Sequence, residues 1–138
     1  MSDDKVELFS SSGGLAILLR TDEGIEAHDT YDRICNMLHA SVSLVSPLEV
    51  KPKVLRSELS VERWIEVLHE LFQCVKKTVA ILERDGGFSP FCAVGFICEK
   101  LDGLETLIYL CESLYGFDVV TPIKRDFNRF ISGSYIAV

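Results

Sequence analysis

Basic residues are scarce in this chain, with 14 Lys and Arg against 21 Asp and Glu and a formal net charge of −7. That balance excludes nonspecific nucleic-acid binding, which needs basic patches to meet a phosphate backbone. Long apolar runs are also missing. The densest stretch, Phe91 to Cys98, stops at Glu99 and Lys100, far short of the about 20 residues that span a bilayer. No basic segment precedes an apolar one at the N-terminus, Met-Ser-Asp-Asp-Lys, so no secretory signal is expected. The cysteines at 35, 74, 92, 98 and 111 form no C-x-x-C pair and are odd in number. Zinc sites need tighter paired spacings. All five fall within apolar helical patterns, which reads as reduced, buried thiols in a cytosolic protein. There are no internal repeats and no low-complexity tract.

What is present is enough apolar material for one core. An apolar fraction of 48% over 138 residues argues against disorder and for a single domain. Residues 1 to 24 stay open in structure: Ser10-Ser11-Ser12-Gly13-Gly14 is a break, and Leu15 to Leu19 fits a buried strand or a helical turn. Residues 25 to 138 read as the helical domain. From Ile25 to Val45, Tyr31, Ile34, Cys35, Leu38, Val42 and Val45 follow helical spacing, with Asp29 or Thr30 as N-cap. Pro47 and Pro52 bracket a loop.

The strongest periodicity runs from Ser60 to about Glu83, where Val61, Trp64, Ile65, Leu68, Leu71, Phe72, Val75, Val79 and Leu82 repeat at three and four. Gly86-Gly87 ends it, and Ser89-Pro90 restarts a helix with a capping hydroxyl and a first-turn proline. Phe91 to Cys98 is apolar on nearly every side, so it is expected to be a central helix wrapped by the others. Asp102-Gly103-Leu104-Glu105 reads as a capping-box opening for a further helix over Leu104 to Tyr115, closed by Gly116. Thr121-Pro122 opens a last helix with Ile123, Phe127, Phe130 and Ile131, stopped by Gly133. The expected fold is all-α, a compact bundle of six or seven helices around one buried central helix.

Catalytic patterns fare poorly. Glu66 and His69 make one Glu-x-x-His, where di-iron bundles use two with further inward carboxylates. Here Glu62, Glu66, His69 and Gln73 share the wet face opposite Leu68, Leu71 and Val75. Cys92 and Cys98 sit in the most apolar segment, where a thiolate would be costly. Gly13-Gly14 and Gly86-Gly87 lack the lysine of a phosphate loop and read as turns. His28 and His39 are lone residues, solvated or satisfied locally. No enzyme activity, metal or cofactor is expected. Trp64, Phe72, Phe88, Phe91 and Phe96 are mostly core residues, or some of them line a groove for a partner helix, read through anchors at i, i+3, i+4 and i+7.

The segment Thr78-Val79-Ala80-Ile81-Leu82-Glu83-Arg84-Asp85-Gly86-Gly87 resembles the first homology motif of the Bcl-2 apoptosis regulators, in which an amphipathic helix ends in an acidic-glycine turn before the central helix. The resemblance implies that Phe91 to Cys98 is that central helix, Leu104 to Tyr115 its antiparallel partner, and Thr121 to Ile131 the short C-terminal helix of the second motif. It departs where the family reads Asn-Trp-Gly-Arg, since this chain has Phe88-Ser89-Pro90-Phe91. Phe91 thus stands in place of the arginine that pairs with the ligand's aspartate, and Arg84 is too far away to replace it. No C-terminal membrane anchor is expected, and an anchorless, divergent chain is what viral members look like. The resemblance implies an inhibitor of apoptosis in the host cytosol that holds amphipathic pro-death helices of host proteins. Its apolar groove would comprise Leu68, Leu71, Phe72, Val75, Val79, Phe88 and Phe91, with Arg84, Asp85 and Gly86 at the rim. A helical adaptor or scaffold acting through the same apolar stripe, with no role in apoptosis, is the alternative. An empty groove would be an exposed apolar patch, so a two-fold homodimer is expected in the absence of ligand.

Overall fold

The computed structural model describes residues 11–45, 54–85 and 94–133. In chain order they form α1 (Ser11–Leu18), α2 (Asp22–Ser41), β1 (Val42–Val45), β2 (Val54–Ser57), α3 (Val61–Asp85), α4 (Val94–Tyr115) and α5 (Phe117–Ser132). The chain is mostly helical, as its periodicity implies. Five helices are described, where six or seven were expected along the whole chain. None is long and apolar enough to cross a membrane.

Leu15 to Leu18 resolve as helix, not strand. The next helix starts earlier than expected: Thr21, rather than Asp29 or Thr30, is its N-cap, and its hydroxyl accepts the Gly24 N–H at 3.0 Å. Asp22 and Glu23 in the first turn add favourable charge at the positive end of the helix dipole. Gly24 is held there by contact. A Cβ at this position would lie 1.7 Å from the Leu18 carbonyl oxygen, so the α1–α2 corner closes only on glycine.

The helix expected to reach Val45 stops at Ser41. Val42 is extended at φ −100° and ψ 135°, as β-branched residues favour. Val42 to Val45 then pair antiparallel with Val54 to Ser57, Val42 opposite Ser57 and Val45 opposite Val54. This ribbon was absent from the sequence expectation. The Pro47–Pro52 loop lies outside the described residues.

At the centre stand α3 and α4, each packed against every other helix. The buried face of α3 is wider than one stripe: Val67, Cys74, Thr78 and Ile81 are buried beside Trp64, Leu68, Leu71, Phe72, Val75 and Leu82. Thr78 meets this setting by donating its hydroxyl to the Cys74 carbonyl at 2.9 Å. Buried Phe96 and Ile97 open α4 as a core helix, while Phe91 to Ala93 lie outside the described residues.

Two expectations about α4 fail. The helix runs unbroken through Asp102-Gly103 to Tyr115, so Leu104 to Tyr115 continues the central helix and is not an antiparallel partner to it. Gly103 is present for closeness of packing rather than for a break. The Tyr31 hydroxyl would lie 2.1 Å from a Cβ there, and it donates to the Lys100 carbonyl at 3.0 Å. Nor is the described part of Phe91 to Cys98 buried all round: Gly95 is exposed and Cys98 is half-buried, beside buried Phe96 and Ile97.

The last helix also begins earlier, at Phe117 after Gly116, whose φ of +104° suits glycine. Pro122 therefore falls inside α5, not at its start. Gly133 closes it with a backbone bond to the Arg129 carbonyl at 3.1 Å.

Candidate functional site

The residues expected to form a groove come from one face of α3, and the structure puts that face inside. Leu68, Leu71, Phe72 and Val75 are buried in the core, and Val79 packs partly buried against it. The four buried ones line no open surface. The cover over Phe72 is α5, whose Phe127 and Phe130 rings meet the Phe72 ring edge-on at centroid distances of 6.3 and 5.7 Å. Lys76 closes the outer side, with its ammonium 4.3 Å from the Phe72 centroid, a cation–π contact. Val120, Ile123 and Phe127 are the buried residues of α5, and with Phe130 they stand at helical spacing on its apolar face.

The rim residues Arg84 and Asp85 stay near the surface at the end of α3. Arg84 donates to both Asp85 carboxylate oxygens, at 2.8 and 2.9 Å, and to Glu23 at 3.1 Å. The fork pins the end of α3 to the first turn of α2. The hydrogen bonds that Arg84 donates to Asp85 and then to Glu23 raise the guanidinium pKa further, and Arg84 lowers that of Asp85. Gly86, Phe88 and Phe91 lie outside the described residues.

Open concavities lie instead along α2. One, of about 430 Å³, is lined by Asp22, Ile25, Glu26, Asp29, Thr30 and Arg33. A second, of about 200 Å³, is lined by Glu26, Ala27, Thr30, Glu70, Gln73, Cys74 and Lys77. They share Glu26 and Thr30, and most of the residues that line them carry polar side chains. The Cys74 thiol is buried and donates to the Ala27 carbonyl at 2.9 Å. Burial raises its pKa and that of Cys35, and pushes Cys111 up to about 11. Thiols held protonated in this way are poor nucleophiles.

Glu62, Glu66, His69 and Gln73 all lie on the exposed face of α3, with Glu66 paired to Arg63. The described residues hold no group of three or more His, Cys, Asp or Glu placed to bind a metal. His28 Nε2 faces Asp32 at 3.4 Å, and His39 is exposed. Of the cysteines, Cys74 and Cys111 are buried, Cys35 and Cys98 are half-buried, and all four are free.

The surface carries two aromatic rings that the sequence pattern does not single out. Tyr109 and Phe117 are 53% and 61% exposed, and Lys124 holds its ammonium 4.7 and 5.3 Å from their ring centroids. The signal was available for Tyr109, since inward Leu107, Ile108 and Cys111 leave it pointing out. Phe117 falls between Gly116 and Thr121, where the sequence pattern predicts no element. No family model, curated protein or solved structure matches the chain.

Proposed function

We propose that the chain is an inhibitor of apoptosis that holds amphipathic pro-death helices of host proteins, acting by occupancy and without a cofactor. One packing relation supports this reading. The α3 face singled out by the resemblance already receives a helix, because α5 lays Phe127 and Phe130 against Phe72. Val120, Ile123, Phe127 and Phe130 carry the three- and four-residue spacing of a groove-bound helix. An incoming pro-death helix would take the place of α5, while Arg84 and Asp85 remain at the rim. With Phe91 where the family has its pairing arginine, affinity rests on apolar anchors and the ligand range is narrow. A viral origin and action in the host cytosol belong to the same proposal.

Self-association through this face, the homodimer expected from the sequence, needs the same release of α5, so ligand and second copy compete. Calorimetric titration with a full panel of pro-death helix peptides tests the reading, which expects micromolar or tighter binding for at least one. No binding across the panel overturns it. The second reading, a helical adaptor, is favoured by the exposed Tyr109 and Phe117. Cells challenged with an intrinsic death signal separate the two, because the groove binder protects them and the adaptor does not.

A further inference from the structure

We propose that the outer row of α4, ending at Tyr109, together with Phe117 at the start of α5, is a docking surface for a cationic amphipathic helix of a protein partner. The site is distinct from the α3 face and does not rest on the reading above. Tyr109 and Phe117 suit the role of anchors, because Tyr and Phe bring large contact area with few rotatable bonds. They are also held in place. The Lys124 ammonium lies against both rings and is ion-paired to Glu112, so the α4–α5 seam fixes the spacing of the two anchors before anything binds.

Charge decides the partner. The only basic residue of α4 is Lys100, and it is buried, its ammonium 4.0 Å from the Tyr31 ring centroid. Every other charged side chain of this helix is a carboxylate. Asp102, Glu105 and Tyr109 stand at intervals of three and four on the exposed side, and Asp118 is exposed beside Phe117. Lys124 offsets Glu112, so the row keeps a net negative field next to two apolar anchors. A helix that packs along it needs an aliphatic or aromatic anchor to sit between the rings. It also needs Lys or Arg one and two turns away to meet Glu105 and Asp102, with guanidinium groups able to stack on the outer ring faces. A second copy of this chain, with net charge −7, would meet repulsion at the same place.

The test is fluorescence anisotropy with two labelled helical peptides of about 18 residues, or five turns, one built from Leu and Arg and the other from Leu and Glu. The whole chain should bind the Leu/Arg helix at micromolar concentration, with affinity falling as salt rises, and should bind the Leu/Glu helix at least tenfold more weakly. Replacing both aromatics (Tyr109→Ala with Phe117→Ala) should weaken Leu/Arg binding at least tenfold. Glu105→Lys should weaken it severalfold with no change in melting temperature, and Leu44→Ala on the ribbon should leave it unchanged. Equal affinity for the two peptides, no Leu/Arg binding at all, or binding unaffected by both the aromatic and the Glu105 changes overturns the proposal.

Discussion

The Ser57 hydroxyl accepts the Trp64 indole N–H at 2.7 Å, tying the last residue of the ribbon to the first buried turn of α3. The same oxygen accepts the Leu59 backbone N–H at 3.1 Å and lies 3.0 Å from the Ser41 hydroxyl. Ser41 spends its own proton on the Leu38 carbonyl at 2.8 Å, so Ser57 must be the donor between the two serines. One donor and two lone pairs are then fully used. A single hydroxyl joins the end of α2, the ribbon and the start of α3 around a fully buried tryptophan.

Ser57→Ala strands the indole N–H and a backbone N–H together. The expected loss is about 1–3 kcal/mol, the usual cost of a buried donor left without a partner. Urea unfolding followed by Trp64 fluorescence measures it. A loss below about 0.5 kcal/mol would mean that water reaches the indole and that Ser57 is dispensable.

Gly103 and Tyr31 should be coupled with a change of sign. Alone, Gly103→Ala forces a Cβ to within 2.1 Å of the Tyr31 hydroxyl and should destabilise the fold despite alanine's better helix propensity. With Tyr31→Phe in place the nearest remaining ring carbon is 3.4 Å away, an ordinary contact. The same substitution should then be neutral, or stabilising by up to about 1 kcal/mol. A double-mutant cycle by thermal melting reads this directly, and additive effects would sink the steric account of Gly103.

Phe96→Asp should unfold the domain. Phe96 is buried beside Gly14, whose own Cβ would fall 2.5 Å from the Phe96 Cβ, so the site offers neither space nor water to a charge. Circular dichroism should show loss of helix or a melting transition far below that of the parent. A native spectrum and melting temperature would remove α4 from the centre of the core.

Stability should fall with rising pH above about 9. Burial pushes the Cys111 thiol up to about 11 in the folded chain, while an unfolded cysteine titrates near 8.5. Between those values the unfolded state has lost a proton that the folded state keeps, so each rise in pH favours unfolding. The effect is on the order of 3 kcal/mol by pH 11. Cys111→Ala should flatten that part of the curve, and an unchanged slope would show that other groups carry it.

Light scattering at micromolar concentration decides self-association. A mass that climbs with concentration toward twice 15.5 kDa supports release of α5 and pairing of α3 faces. A mass fixed near 15.5 kDa removes the dimer and leaves α5 as the sole occupant of that face.

Helix class and the long span of α3 were legible in the sequence because a three-and-four repeat is a local property that burial on one side imposes. The same logic located Gly133 as a stop and put Glu66 and His69 on the wet face. Three matters were decided only by tertiary contact. Gly103 looked like a helix break, yet the deciding atom is the Tyr31 hydroxyl, 72 positions earlier in the chain. Phe72 fitted both a groove and a core, since periodicity shows which side is apolar but not what covers it, and Phe127 and Phe130 supply the cover. Val42 to Val45 extended a helical pattern on paper, but pairing with Val54 to Ser57 gives their backbone groups partners that a local pattern cannot report. Local spacing thus determined which residues turn inward, and the packing of distant elements determined what each of them meets there.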